Sequence, residues 1–198
     1  MEGEVLMVYP FLRISLFPII RLLIKKIEGA NNIPNGAPFI VVSNHQSYID
    51  PLLIIYAIVR HTNEKVHFIS SPKWWYFLGD AICKRWAGCI LLFNSNQAYE
   101  EAREMISSGK IVGVFPENFL GQKKKKLKTG AVRLSIETNV PILPIGLSPS
   151  YIPLNSRIVI GKARHASKSK DIRKQASELM EEVYVLMKKG MQKPIIAD

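Results

Sequence analysis

Short runs of apolar, largely β-branched residues recur along this chain, with room for about one helix between most of them. PFIVVS (38–43), VHFIS (66–70), CILLF (89–93), IVGVF (111–115), VPILPIGL (140–147) and RIVIG (157–161) are apolar at successive positions, which predicts short strands covered on both faces. The intervening stretches read as helices. Asp50 to Val59 has helical composition, with Pro51 suited to a first turn. From Asn96 to Ser108, Ala98, Ala102, Met105 and Ile106 share one side before Gly109 ends the element. Further helices are predicted over 130–138 and about 170–189, and WWYFLGDAICKRWAG (74–88) reads as irregular, aromatic-rich helix. Lys26 to Ile33 fits another short strand, with N-N-I-P-N-G as a turn. Strands alternating with helices predict a single α/β domain, a mixed, mostly parallel sheet flanked by helices.

The first 26 residues form a segment distinct from the domain expected over 27–198. Residues 5–24, VLMVYPFLRISLFPIIRLLI, are apolar enough to suggest a membrane span. Arg13 near the centre would cost roughly 2.5–3.5 kcal/mol there, and Pro10 and Pro18 interrupt a straight helix. A secretory signal is not expected either: the small-residue cleavage site is missing, and the basic residues follow the apolar stretch. The segment is therefore expected to be an interfacial amphipathic helix, with Arg13, Arg21, Lys25 and Lys26 toward anionic head groups; the alternative is a helix packed on the protein's own core.

Charge narrows the partners. With 27 Lys plus Arg against 16 Asp plus Glu, the net charge is +11, which favours a polyanion: nucleic acid, an anionic membrane surface or phosphorylated substrates. Nucleic acid fits poorly, since the aromatics sit in apolar runs and not among the lysines. Cys83 and Cys89 lie six apart without metal-like spacing and read as small buried side chains in a reducing compartment. His61, His67 and His165 lack an acid or second ligand at such spacing, so no metal site is expected.

Two polar interruptions remain. N-H-Q-S-Y-I-D (44–50) and F-P-E-N (115–118) each follow a strand and precede a helix, which puts both at one rim of the sheet, where α/β chemistry collects. His45 and Asp50 are five apart, a weak signal alone. In this setting the carboxylate can reach back to one imidazole nitrogen and leave the other facing a cleft, the base-plus-orienter half of a triad. No G-x-S-x-G accompanies them, and Ser43 and Ser47 serve equally well as capping or turn residues. A histidine that activates a substrate hydroxyl would need only the pair.

N-H-Q-S-Y-I-D resembles the N-H-x-S-x-x-D block of the glycerolipid acyltransferases, the PlsC-type lysophosphatidic acid acyltransferases in particular. Four fixed residues in seven places arise by chance roughly once in a thousand chains of this length. G-C-I-L-L-F-N (88–94), F-P-E-N and V-P-I-L-P-I-G-L resemble the second, third and fourth blocks in order, and L-K-T-G (127–130) resembles the F-K-x-G that opens the following helix. The resemblance implies acyl transfer from acyl-CoA or acyl carrier protein to a lysolipid hydroxyl, foremost 1-acyl-sn-glycerol-3-phosphate, by a peripheral, monotopic protein on the cytoplasmic face of the cell membrane, with no metal or bound cofactor. It implies His45 as general base and Asp50 as its orienter. Substrate binding would fall to Asn44, Ser47, Phe115, Pro116, Glu117, Asn118, Lys128 and Gly130, with Glu117 lining the acceptor site.

Two departures concern the acceptor's phosphate. Asn94 stands where the family has an arginine, and Asn118, Phe119 and Leu120 stand in place of G-T-R. An amide or a leucine does not replace an arginine fork. Lys123 to Lys126 and Lys128 would then act as substrate contacts, as attraction to a membrane, or as a solvated loop; otherwise the acceptor lacks the phosphate. A non-catalytic lipid-binding relative is the remaining alternative, and it gives no reason for the His45–Asp50 pair.

Overall fold

IVVS takes the middle of the sheet as strand β2 (Ile40–Ser43), with all four residues buried. Its backbone is satisfied by strands on either side, and its apolar side chains serve both faces at once. The structure, a computed structural model, describes residues 12–36, 38–70, 88–117 and 127–191. The remaining strands are β1 (Ile24–Glu28), β3 (Val66–Ser70), β4 (Ile90–Leu91), β5 (Ile111–Val114), β6 (Ile142–Ser148) and β7 (Ser156–Ile160). Their order across the seven-stranded sheet is β1-β7-β6-β2-β5-β3-β4, and every pairing is parallel except β6 with β7.

Helices α1 (Phe17–Leu23) and α2 (Asp50–Thr62) cover one face, and α3 (Ser95–Ser107), α4 (Gly130–Thr138) and α5 (Ile172–Met191) the other. The period of two sorts the strands between these layers. Phe39 and Val41 join Leu53, Ile54 and Ile58 of α2, while Ile40 and Val42 join Ala102, Leu134 and Leu179 on the opposite side. The α/β expectation therefore holds, as does the parallel bias of the sheet. The strand expected over 89–93 is shorter, Ile90–Leu91, and the first strand runs Ile24–Glu28 before a 3-10 turn at Ala30–Asn32. The segment 74–88 lies outside the described residues but for Gly88.

The N-terminal segment differs most from expectation. A π-helical turn (Leu12–Leu16) leads into α1, which is only seven residues long, and Lys25 and Lys26 belong to β1, not to a helix. The boundary drawn at residue 26 thus falls inside a strand. Phe17 and Ile20 are buried against the core, and Phe17 meets the Tyr56 ring edge-on at 5.2 Å. Arg13 does not face outward: its guanidinium donates to Val59 O (3.0 Å) and Asn63 Oδ1 (2.6 Å), capping the C-terminus of α2. A helix C-terminus presents unpaired carbonyls and partial negative charge, and a cation there satisfies both. Among the described residues, no helix is long and apolar enough to cross a membrane.

His67 serves the sheet, as expected of it. Burial pushes its pKa below the usual 6.5, and because a carbonyl only accepts, Nδ1–H donates to Gly88 O at 2.9 Å.

Gly146 sets how closely α5 approaches the sheet. A Cβ there would lie 2.2 Å from Met187 N and 2.5 Å from Leu186 C, both backbone atoms that cannot rotate away. Gly146→Ala should therefore lower unfolding free energy by about 1–3 kcal/mol, read from the urea midpoint; an unchanged midpoint would mean that α5 is free to shift outward.

Candidate active site

β2 and β5 are parallel neighbours in register Val42↔Val114, so the residues that follow each strand emerge at the same rim. After β2 come Asn44 to Ile49, and Asp50 opens α2; after β5 come Phe115, Pro116 and Glu117. Asp50 is fully buried, with one oxygen, Oδ2, accepting three N–H groups: Gln46 N at 2.6 Å, Ser47 N at 2.8 Å and His45 Nδ1 at 3.0 Å. An oxygen that receives two backbone donors accepts from the imidazole as well. Nδ1 therefore carries a proton, so that in the neutral ring the lone pair falls on Nε2. The His45 side chain is 23% exposed, so the pair has one wholly buried member and one that reaches the surface.

Phe115 lies against the imidazole at 4.3 Å between ring centres and 19° between planes, and Phe68 of β3 stacks behind it at 5.3 Å. The stack fixes the plane of the imidazole and covers that side of it. Glu117 binds protein on both oxygens: Oε2 accepts the His45 backbone N–H at 3.2 Å, and Oε1 accepts the Tyr184 hydroxyl of α5. Glu117, which the resemblance places in the lining of the acceptor site, is thus also a brace that holds the backbone under the imidazole.

Asn44 also takes a different part. It is fully buried, donates from Nδ2 to Leu147 O at 2.9 Å and accepts Leu147 N–H at Oδ1 at 2.8 Å. With both ends of its amide engaged, it extends the β2–β6 ladder one step past the last strand residue and has nothing left for a substrate. Ser47 Oγ bonds the Tyr151 hydroxyl at 2.8 Å. Pro116 is buried, and its carbonyl accepts Lys128 N–H at 3.2 Å, bringing the exposed Lys128 and the start of α4 beside the rim. A Cβ at Gly130 would meet nothing within 4 Å, so packing does not require the glycine. Asn118 and Lys123 to Lys126 lie outside the described residues. Asn94 caps α3, its Oδ1 accepting from Asn96 N (2.8 Å) and Gln97 N (3.4 Å). Among the described residues, no group of three or more His, Cys, Asp or Glu could hold a metal ion.

The rim therefore presents an imidazole whose Nδ1 is held by a buried carboxylate and whose ring lies against an aromatic wall. The family model "Acyltransferase" matches residues 25–148, which include every one of these strand-end loops but not α5. The chain belongs to the Acyltransferase family. Curated relatives include the sheep (Ovis aries) protein named 1-acyl-sn-glycerol-3-phosphate acyltransferase alpha, 29% identical over 132 residues, 62% of this chain and 44% of the relative. Another, from Mycoplasma pneumoniae, is named probable 1-acyl-sn-glycerol-3-phosphate acyltransferase; it is 26% identical over 163 residues, 76% of this chain and 59% of the relative. The chain spans about half the length of the curated relatives it matches. The crystal structure of the 1-acyl-sn-glycerophosphate acyltransferase PlsC from Thermotoga maritima superposes with a TM-score of 0.70 at 23% identity, covering 91% of this chain and 82% of that one, and so shares the fold.

Tyr184, Phe68, Tyr151 and Met187 were not foreseen from the sequence. Met187 Sδ accepts from Asn44 Nδ2 (3.5 Å) and Gln46 Nε2 (3.4 Å), one helical turn beyond Tyr184, so this acyltransferase domain uses α5 to back both loops. Only the i, i+3 placement of Tyr184 and Met187 on one face of α5 hints at this in the sequence. In Tyr184→Phe, Glu117 loses a donor, and amide hydrogen exchange at His45 should quicken by about 10-fold with β2 amides unchanged; unaltered exchange at His45 would mean that Glu117 holds the loop without help from α5.

Proposed function

We propose that the chain transfers an acyl group from a thioester, acyl-CoA or acyl carrier protein, to the free hydroxyl of a lysolipid, with 1-acyl-sn-glycerol-3-phosphate as acceptor. The observation that carries this reading is the His45 imidazole, held by Asp50 through Nδ1 so that Nε2 is the nitrogen left for a substrate proton. Nε2 takes the hydroxyl proton as that oxygen attacks the thioester carbonyl carbon. The tetrahedral intermediate collapses with cleavage of the C–S bond, and the imidazolium returns the proton to the departing thiolate. Asp50 stabilises the imidazolium in the interval, and the Phe115–Phe68 stack limits competition from water. The relatives' names support the acceptor class. The chemistry uses no metal or bound cofactor.

One observation favours a second acceptor. Asn94, at the position of a family arginine, has its side-chain oxygen committed to the α3 cap, so this position offers a phosphate no cation. A lysolipid without a phosphomonoester, such as a glycolipid, is the acceptor on that reading.

The working surface is the cytoplasmic face of a membrane, with the protein peripheral. Support comes from α1 and the turn before it, where Phe17 and Ile20 are buried while Ile14, Ile19 and Leu22 are exposed. A segment apolar on both sides has a second surface to bury.

Incubation of the protein with labelled acyl-CoA and a panel of lysolipids, followed by mass analysis, should yield one acylated product. His45→Ala should lower its rate by roughly 10²–10⁴-fold with the fold intact. Wild-type turnover in that variant would remove His45 as the base, and no product from any acceptor would favour a non-catalytic lipid-binding role.

A further inference from the structure

The seven residues between β6 and β7, Pro149 to Asn155, form a loop whose polar groups bond one another and whose large apolar side chains are exposed. Ser150 N–H donates to Ser156 Oγ (2.9 Å), whose hydroxyl donates back to Ser150 O (2.9 Å). Ser150 Oγ accepts from Ile152 N (3.1 Å) and Asn155 Nδ2 (3.2 Å). Two main-chain bonds, Leu154 N to Leu22 O (2.7 Å) and Asn155 N to Leu23 O (3.1 Å), fasten the loop to the end of α1. Nothing in this network is loose. Yet Tyr151, Ile152 and Leu154 are 64%, 65% and 59% exposed.

Leu154 sharpens the point, because its φ is +54°, the left-handed region that favours glycine. A γ-branched side chain held outward at some backbone cost marks a place where the side chain itself is wanted. The loop is tied to the end of α1, where Ile19 and Leu22, with Ile14 of the turn before the helix, are exposed apolar side chains as well. Ser47, which bonds the Tyr151 hydroxyl, ties the loop to the segment that holds His45 two residues earlier and the exposed Tyr48 next in sequence. Exposed Arg21, Lys25 and Lys26 lie at and just beyond the end of α1. Tyrosines, aliphatics and a cationic margin suit the boundary between acyl chains and anionic head groups. A chain of net charge +11 is electrostatically averse to a second copy of itself and complementary to an anionic lipid surface.

We propose that the β6–β7 loop is a second membrane-docking element, with Tyr151, Ile152, Leu154 and Tyr48 entering the head-group boundary alongside the outer face of α1 and holding the mouth of the His45 site at the lipid surface. This rests on the peripheral-membrane reading above and adds to it which part of the domain inserts and how the site is oriented.

The test is cosedimentation of the full chain with vesicles of phosphatidylcholine and phosphatidylglycerol, comparing wild type with Ile152→Ser/Leu154→Gly. Glycine relieves the left-handed backbone at 154, so the variant should unfold at a temperature no lower than wild type apart from the exposed serine change. Its vesicle affinity should fall by about 10-fold or more, while acyl transfer to a monomeric short-chain lysolipid stays as in wild type. Vesicle binding equal to wild type would overturn the loop assignment and leave α1 as the docking element. A wild type that does not bind vesicles would overturn the membrane reading and the inference with it. A wild-type dimer in solution that the variant converts to monomer, with vesicle binding unchanged, would overturn the proposal in favour of a second copy of the chain.

Discussion

A single buried oxygen organises this domain's rim. Asp50 Oδ2 gathers the backbone N–H groups of Gln46 and Ser47 and the imidazole of His45, so the loop after β2 can take only a conformation that curls around the start of α2. A carboxylate withdrawn from water is costly unless donors replace its hydration, and here three donors converge on one atom. The loop geometry and the base's tautomer therefore come from the same interaction. Whatever moves Asp50 moves the base.

The surroundings turn that local constraint into a site. β2 sits at the centre of the sheet, and Asn44 extends its ladder to β6, so the loop departs from the most rigid part of the fold. Phe115 and Glu117 arrive from the neighbouring parallel strand, one against the imidazole face and the other under its backbone. α5 presses from behind through Tyr184 and Met187, at a distance from the sheet that only Gly146 permits. The candidate groups thus rest on strand ends and packed helices, where positions are held more closely than on free loops.

Strands such as IVVS and IVGV were legible because a run of apolar β-branched residues shorter than a helix has few other uses, and the alternation with helices carried the parallel sheet. The His45–Asp50 pair was legible because both residues lie in one local motif between a strand and a helix. Contacts across long separations were not. Arg13 reaches Asn63 across 50 positions and Tyr184 reaches Glu117 across 67, and neither leaves a periodic or compositional trace. Arg13 was misread for this reason, since a cation in an apolar segment looks bound for head groups until the helix end that it caps is known. Asn44 was misread for another: a signature residue need not touch substrate, and this one repeats a backbone pairing with its side chain.

On the proposed reading, the Asp50 carboxylate makes His45 a base by orienting the ring and by stabilising the imidazolium that forms. Steady-state acyl-transfer kinetics of Asp50→Asn test it most directly, because the amide keeps the shape of the carboxyl and, in the place of Oδ2, an oxygen for all three donors, but removes the charge that stabilises the imidazolium. With the far-ultraviolet circular dichroism spectrum retained, kcat should fall by about 10³-fold or more; turnover within threefold of wild type, about 0.7 kcal/mol, would contradict the role assigned to the pair.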